Sequence, residues 1–508
     1  AVEIARDAKL RGAVPLLVEQ LELKRLPRAI VIRALGAIGD RRAQRPLLGL
    51  LGANSVDIQL AALEALKRLI DGRAAEPLAR CLASPNRAVR RIAITYLGRL
   101  RARIATPALI RLARTAPRDE ARHAATALAA IGDPRAQDEL LRLLVHHDRL
   151  LRRIGVHGLA ALAPAPKVAR RVLTMCRRQT LLVRSSCLQA LGNLLRGSTD
   201  SAVLSYLASN IGLGDHTLFL SALDGLAAMK DPRIVKILLG RIPQLPLALK
   251  RHAVEALGNQ PSAEAVSALR RLLSDKESAI RGAAAWALGK LRAKTARDDL
   301  LRVARGKGWA ARINATAALA ALRDPSIASA LKSLAADRAP YVRANALLGL
   351  GWIATGAAPS VPQLVRHAQH DRTPWARANA LRALFAIKTT RLTSSEGRPI
   401  TNATLAKEMA KVDLDDRVRH IAATLAKRGS RAVREQKNRQ SWIGLYLVDA
   451  EGRPLSNRRY LLITPEGLVK ASYADMRSQG WEERLPKGRC HVELPVRPLA
   501  ASPASTDE

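Results

Sequence analysis

The chain has 508 residues, with 84 Lys+Arg against 43 Asp+Glu and a formal net charge of +41. A hydrophobic share of 48% excludes a wholly disordered chain, and an aromatic share of 3% argues against a core built on large rings. Four cysteines, Cys81, Cys176, Cys187 and Cys490, do not make a disulfide scaffold, and the absence of any CxxC pair removes zinc ribbons and thioredoxin-like chemistry.

Taken in chain order, the first 428 residues carry one recurring phrase. ALGAIGD (34–40) returns as ALKRLID (65–71), ALAAIGD (127–133), GLAAMKD (225–231), ALGKLRA (287–293) and ALAALRD (318–324). The marker Leu falls at Leu35, Leu66, Leu97, Leu128, Leu159, Leu191, Leu226, Leu257, Leu288, Leu319, Leu350, Leu384 and Leu425, mostly 31 residues apart. Such a unit holds two helices of about 11–13 residues and two short turns. In AVRRIAITYLGRL (88–100), Val89, Ile92, Ala93, Tyr96, Leu97 and Leu100 share one helical face. Asp133-Pro134, Asp231-Pro232 and Asp324-Pro325 read as helix starts, with Asp capping free N–H groups and Pro where no N–H is needed. The expected fold is therefore mostly α: an α-solenoid of about thirteen helical hairpins over 1–428.

After residue 428 the period changes. Residues 429–440 read as a basic linker. WIGLYLV (442–448), RYLLIT (459–464), LVKASYA (468–474) and RCHVELPV (489–496) read as strands with turns between them. A small all-β sandwich-like module is expected over 441–497, and a disordered tail over 498–508. The uncharged stretch Ala344–Val365 is long enough to cross a bilayer. Its glycines, Pro359, Pro362 and its register with the repeats predict a buried helix and a turn instead, so no membrane span is expected. With no secretory signal visible, a cytoplasmic location is expected. The missing initiator Met suggests a processed chain or a piece of a longer one.

DPRAQDELLRLL and NRAVRRIAITYLGRL resemble HEAT-type repeats, particularly the short bacterial class of phycobilin lyases, over about residues 1–428. That resemblance implies a binding scaffold more often than an enzyme. LVDAEGRPLSNRRY, TPEGLVK and PKGRCHVELP resemble the small transthyretin-like domains appended to spike and effector proteins of bacterial type VI secretion. MRSQG departs from that family's Gly-containing turn. The resemblance implies a docking module without catalytic residues.

Charge is uneven. From Pro77 to Arg118 there are ten Arg and no acid, and from Arg149 to Thr199 ten basic residues and no acid. Such tracts attract polyanions, and the planar Arg fork suits carboxylate and phosphate. A competing structural role exists for part of them. Seven residues before the marker, nine of thirteen units carry a basic residue: Arg28, Arg90, Arg152, Arg184, Lys250, Arg281, Arg312, Arg343 and Arg377. The HEAT resemblance implies that this position pairs with a turn Asp in a structural ladder, and Asp275, Asp337 and Asp371 stand six residues earlier in three units. Arg101, Arg103, Arg111, Arg114, Arg170, Arg171, Arg177 and Arg178 lie off the ladder position and are the candidates for partner binding.

The expected partner is an acidic protein or another polyanion, nucleic acid included. No nucleic-acid signature accompanies the charge, and Tyr96 is the one aromatic within the tracts. Trp286 and Trp352 fall within marker helices and read as core. His146-His147-Asp148 and the His367, His370, Asp371 group lack a complete ligand set, so no metal and no cofactor are expected. No GxSxG, HExxH, phosphate-loop or kinase signature occurs. The leading expectation is a non-catalytic scaffold that docks an acidic partner on its N-terminal repeats and a second component through the β module, with a secretion-related role. A nucleic-acid-binding solenoid, or an enzyme of DNA glycosylase or chromophore lyase type, are the alternatives.

Overall fold

The computed structural model describes residues 2–428 except 24, 163–164, 178, 196–198, 213–214, 230, 354–360, 388–391 and 395–396, and beyond them 441–446, 459–473, 479–485 and 490–494. Arg178, the linker 429–440 and the tail 498–508 lie outside the described residues. The chain forms two compact units, Ala1–Asp231 and Pro232–Glu508.

In the first unit each marker Leu sits in the second helix of a hairpin, as in Arg28–Ile38, Val56–Leu66, Arg87–Leu100 and Arg118–Ile131. Leu35, Leu66, Leu97 and Leu128 are fully buried. Of the expected Asp-Pro starts, Asp133 and Asp324 cap a 3-10 turn that leads into the first helix of their hairpin. Arg233–Arg241 instead begins after Pro232 with no side-chain cap bond among the described residues. Asp40, Asp71 and Asp133 accept from the backbone N–H of Arg42, Arg73 and Arg135. Asp133 is held down at about 2, chiefly by the side-chain bond from Arg135. Small residues set how closely the helices approach. A Cβ added to Gly98 would lie 3.1 Å from Ala127 Cα.

The second unit continues the pattern with the second helices Leu247–Leu257, Ser278–Leu291, Trp309–Leu322, Pro340–Ile353, Pro374–Ile387 and Asp416–Arg428. The long step from Leu384 to Leu425 holds a short antiparallel pair, β1 (Leu392–Thr393) and β2 (Pro399–Ile400). The C-terminal strands are β3 (Ser441–Tyr446), β4 (Arg459–Ile463), β5 (Val469–Tyr473), β6 (Gln479–Leu485) and β7 (His491–Glu493). β3 pairs with β6, and a three-stranded sheet runs in the order β5-β4-β7, all antiparallel. The sequence pattern did not reveal β6, whose QGWEERL lacks alternation. In β4, Tyr460, Leu461, Leu462 and Ile463 are all fully buried. An unbroken apolar run of this kind belongs to a strand covered on both faces. β5, by contrast, is an edge strand of its sheet, and this decides what it meets.

Candidate functional site

The structure brings the ladder residues to the turns. Arg343 donates to the carbonyls of Asp337 and Arg338 within its own repeat and to both oxygens of Asp371 in the next, at 3.0 and 2.9 Å. Arg377 repeats this with the Asp371 carbonyl and the Asp413 carboxylate. Arg312 pairs with Asp337, Lys250 Nζ lies 3.2 Å from Asp275, and Arg90 meets Glu120. Arg281, Arg152 and Arg184 donate to turn carbonyls instead. Among the described residues, Arg28 Nε is buried without a partner. Desolvation would raise the Asp371 carboxyl. Bonds from His367 and Arg343 outweigh it and hold the group well below the carboxylate range. His367 is thereby engaged, Nδ1 lying 2.8 Å from Asp371. Among the described residues no group of three His, Cys, Asp or Glu could hold a metal.

The candidate partner-binding arginines divide. Arg114 donates to Glu139 at 2.7 Å, Arg171 to Asp138 at 2.9 Å, and Arg170 reaches Asp200 at 3.5 Å. Their charge is compensated by acids of a neighbouring repeat. Arg101, Arg103, Arg111 and Arg177 are exposed and have no ion pair among the described residues. Arg101 also adopts a left-handed φ of 53° at the end of the Arg87–Leu100 helix, where Gly39 and Gly132 stand in other repeats.

A second constellation, which the sequence reading missed, lies in the second unit. Trp309–Leu322, Pro340–Ile353 and Pro374–Ile387 each carry one buried asparagine, Asn314, Asn345 and Asn379, five residues before the marker. All three grip the free edge of β5 and the turn before it. Asn345 Nδ2 donates to Val469 O at 2.9 Å, and Val469 N donates back to Asn345 Oδ1 at 2.8 Å. Asn314 makes the same pair of bonds with Ala471, at 3.1 and 2.8 Å. Asn379 donates to Gly467 O at 2.8 Å. Arg251 completes the row at Tyr473 O, 2.7 Å, and at Ser472 Oγ, 3.0 Å.

Residues 467, 469, 471 and 473 turn their backbone groups to one side of an extended strand, while those between turn to β4. The asparagines thus satisfy an edge that would otherwise be unpaired. The strand advances about 6.8 Å per two residues, and helices commonly pack 8–10 Å apart. Glycines narrow the gap. A Cβ on Gly351 would lie 2.4 Å from Ala383 Cα, and one on Gly289 2.7 Å from Ala318 Cα. Gly467 is required twice over: its φ is +100°, and a Cβ there would lie 2.3 Å from Asn379 Oδ1.

Side chains add specificity. Lys470 is buried, with Nζ 2.7 Å from Glu255 and 5.5 Å above the Trp286 ring. Burial would raise the Glu255 carboxyl. The charges of Lys470 and Arg251 override it and hold the group down. Trp286 and Trp352 are half-buried rather than core, the latter under Arg323. Tyr473 meets Trp309 edge-on at 5.9 Å. From β7, Glu493 accepts from Tyr341, Trp375 and Arg417. A sequence signal for this site exists in the repeated R-x-N-A of RINA (312–315), RANA (343–346) and RANA (377–380).

Residues 49–129, 238–308 and 305–384 match the family described as HEAT repeats, and residues 121–146 match the PBS lyase HEAT-like repeat. The chain therefore carries HEAT repeats in both units. No curated protein matches the sequence. Among solved structures, importin beta is similar at 14% identity and a TM-score of 0.45, over 83% of this chain and 68% of that one. Kap121p bound to Nup53p is similar at 13% and 0.39, over 83% and 54%. An engineered protein is similar at 19% and 0.32, over 74% and 99%. Among the described residues no helix is long and apolar enough to cross a membrane.

Proposed function

We propose that this HEAT-repeat protein is a non-catalytic scaffold that docks an acidic macromolecular partner on its N-terminal repeats. The supporting observation is the cluster Arg101, Arg103 and Arg111. These three guanidinium groups are exposed along the stretch that runs from the end of the Arg87–Leu100 helix into the Thr106–Thr115 helix, and have no carboxylate partner among the described residues. Arg101 shares its left-handed backbone with Arg292 and Arg323 at the same helix end of other repeats, so the support rests on its exposed, uncompensated side chain. The C-terminal β region engages a second component, and its resemblance to secretion-system modules supports a secretion-related setting.

The test is charge reversal of Arg101, Arg103 and Arg111 together to Glu in the full chain. Binding is measured to poly-L-glutamate and to duplex DNA across a salt titration. Loss of poly-glutamate binding with helicity retained is expected, while the Arg114→Glu and Arg171→Glu pair loses less. Unchanged binding by the triple variant removes the cluster from the site. Tight, sequence-dependent DNA binding with a steep salt slope would transfer the site to nucleic acid.

A further inference from the structure

The asparagine row does more than anchor one domain to another. Each Asn spends one amide proton inside the repeats: Asn314 on Gly282 O at 3.1 Å, Asn345 on Ile313 O at 3.1 Å and Asn379 on Ala344 O at 2.9 Å. Arg382 donates to Asn379 Oδ1 at 2.8 Å. Loss of solvent lowers that guanidinium to about 10, against the opposing charge of Glu466. The rotamers and amide orientations are therefore fixed by the solenoid itself. The remaining proton and the carbonyl oxygen of Asn314 and Asn345 point outward at a two-residue strand repeat. A site organised without its ligand loses little entropy on binding.

What the row reads is backbone, which any extended segment offers. Two positions read side chains. The Glu255 and Trp286 pocket takes a buried cation at position 470, by ion pairing and by stacking over an indole. Trp309 takes an aromatic ring at position 473. On either side of position 470, Val469 and Ala471 are buried, so bulk is restricted there.

We infer that this face of the later repeats is a receptor for an extended strand of a partner protein with a central lysine, and that segment 467–473 of the chain is its resident, exchangeable occupant. The inference stands on the second unit alone and is independent of the arginine cluster proposed above. The partner strand adds to the row by main-chain hydrogen bonding, places its lysine on Glu255 and Trp286, and carries a small residue on either side.

The experiment uses the full chain and a fluorescent synthetic peptide, EGLVKASYA, corresponding to residues 466–474. Val469→Pro removes the N–H that Asn345 accepts, on the side of the strand facing away from β4, and so loosens the resident segment while every receptor residue remains. Lys470→Glu is a second opening variant, which sets a carboxylate against Glu255. Fluorescence anisotropy is expected to show saturable peptide binding to either variant, at least tenfold tighter than to the wild-type chain. Adding Asn314→Ala and Asn345→Ala to the opened chain abolishes it, and replacing the peptide's lysine by methionine weakens it at least tenfold. Circular dichroism identifies a variant whose helices have melted, in which case the other variant decides. No binding to a folded opened chain overturns the inference, as does binding indifferent to the asparagines. Concentration-dependent dimerisation of the wild-type chain without peptide uptake also overturns it, assigning the face to strand exchange between copies.

Discussion

Asn345→Ala is the sharpest perturbation of the strand-gripping face. Asn345 and Val469 are both fully buried. The substitution removes three hydrogen bonds, of 3.1, 2.9 and 2.8 Å, and leaves the Val469 N–H and C=O without partners in a dry site. Ile313 O keeps its helical bond, so the loss centres on Val469. An unsatisfied buried group costs about 1–3 kcal/mol, so two cost about 2–6 kcal/mol. Taking ~3 kcal/mol, the local opening equilibrium shifts by about 150-fold. Amide hydrogen exchange at Val469 reads this directly. Exchange there is expected to rise about a hundredfold or more, while the Leu97 amide in the first unit is unchanged. Asn345→Asp should behave differently. It keeps the acceptor for Val469 N–H but sets a carboxylate against two carbonyl oxygens. Burial and that repulsion raise its folded pKa, so its docking is intact at low pH and lost as pH rises. Val469 exchange within threefold of wild type in Asn345→Ala would refute the account, since the bonds would then contribute nothing to docking.

Other consequences follow from the same geometry. The Glu255 carboxyl is held below its ordinary value, so the Lys470 pair contributes fully above about pH 4.3 and fades as pH falls through the lower folded value. Protection factors of the Val469 and Ala471 amides should therefore fall in acid, and Glu255→Gln should flatten that dependence. Gly351→Ala forces a Cβ to 2.4 Å from Ala383 Cα and should destabilise the second unit by about 1–3 kcal/mol in urea unfolding. Gly49→Ala, at a helical φ of -60° with nothing within 4 Å, should instead stabilise by up to about 1 kcal/mol. Arg101→Gly relieves a left-handed φ and should stabilise the first unit by about 1 kcal/mol while weakening poly-glutamate binding.

The repeats were legible because their signal is local and is copied many times. A Leu recurring every 31 residues needs no tertiary knowledge to place in the second helix of a hairpin. The charge pattern was less legible, for a geometric reason. Counting along the chain finds no acid between Arg149 and Thr199, yet Arg170 and Arg171 face Asp200 and Asp138. Residues one repeat apart in sequence are side by side in a solenoid, so compensation must be sought about 31 positions away. The asparagine row was present as R-x-N-A, but its meaning depends on a strand 88 to 157 residues further on. No periodicity within the repeats encodes that strand. Gly467, with its positive φ, was visible only as a turn residue.

The Arg and Asn of R-x-N-A stand two residues apart and so point in well-separated directions around a helix. Arg343 locks the turn of its repeat to Asp371, while Asn345 holds Ile313 O and the strand. One helix rotation satisfies both, and an error in it would break both. The ladder position is thus a condition for the gripping face as well as a feature of stability. It fixes how each helix is turned, three times in succession, so that neighbouring amides keep step with a strand whose repeat is set by the peptide backbone. Arg281 and Lys250 hold the ladder position in repeats without the asparagine, and the Lys250 helix reaches the strand through Arg251 instead. A general repeat architecture here becomes a specific receptor through one polar residue per helix, with glycines that bring the helices close enough for that residue to act.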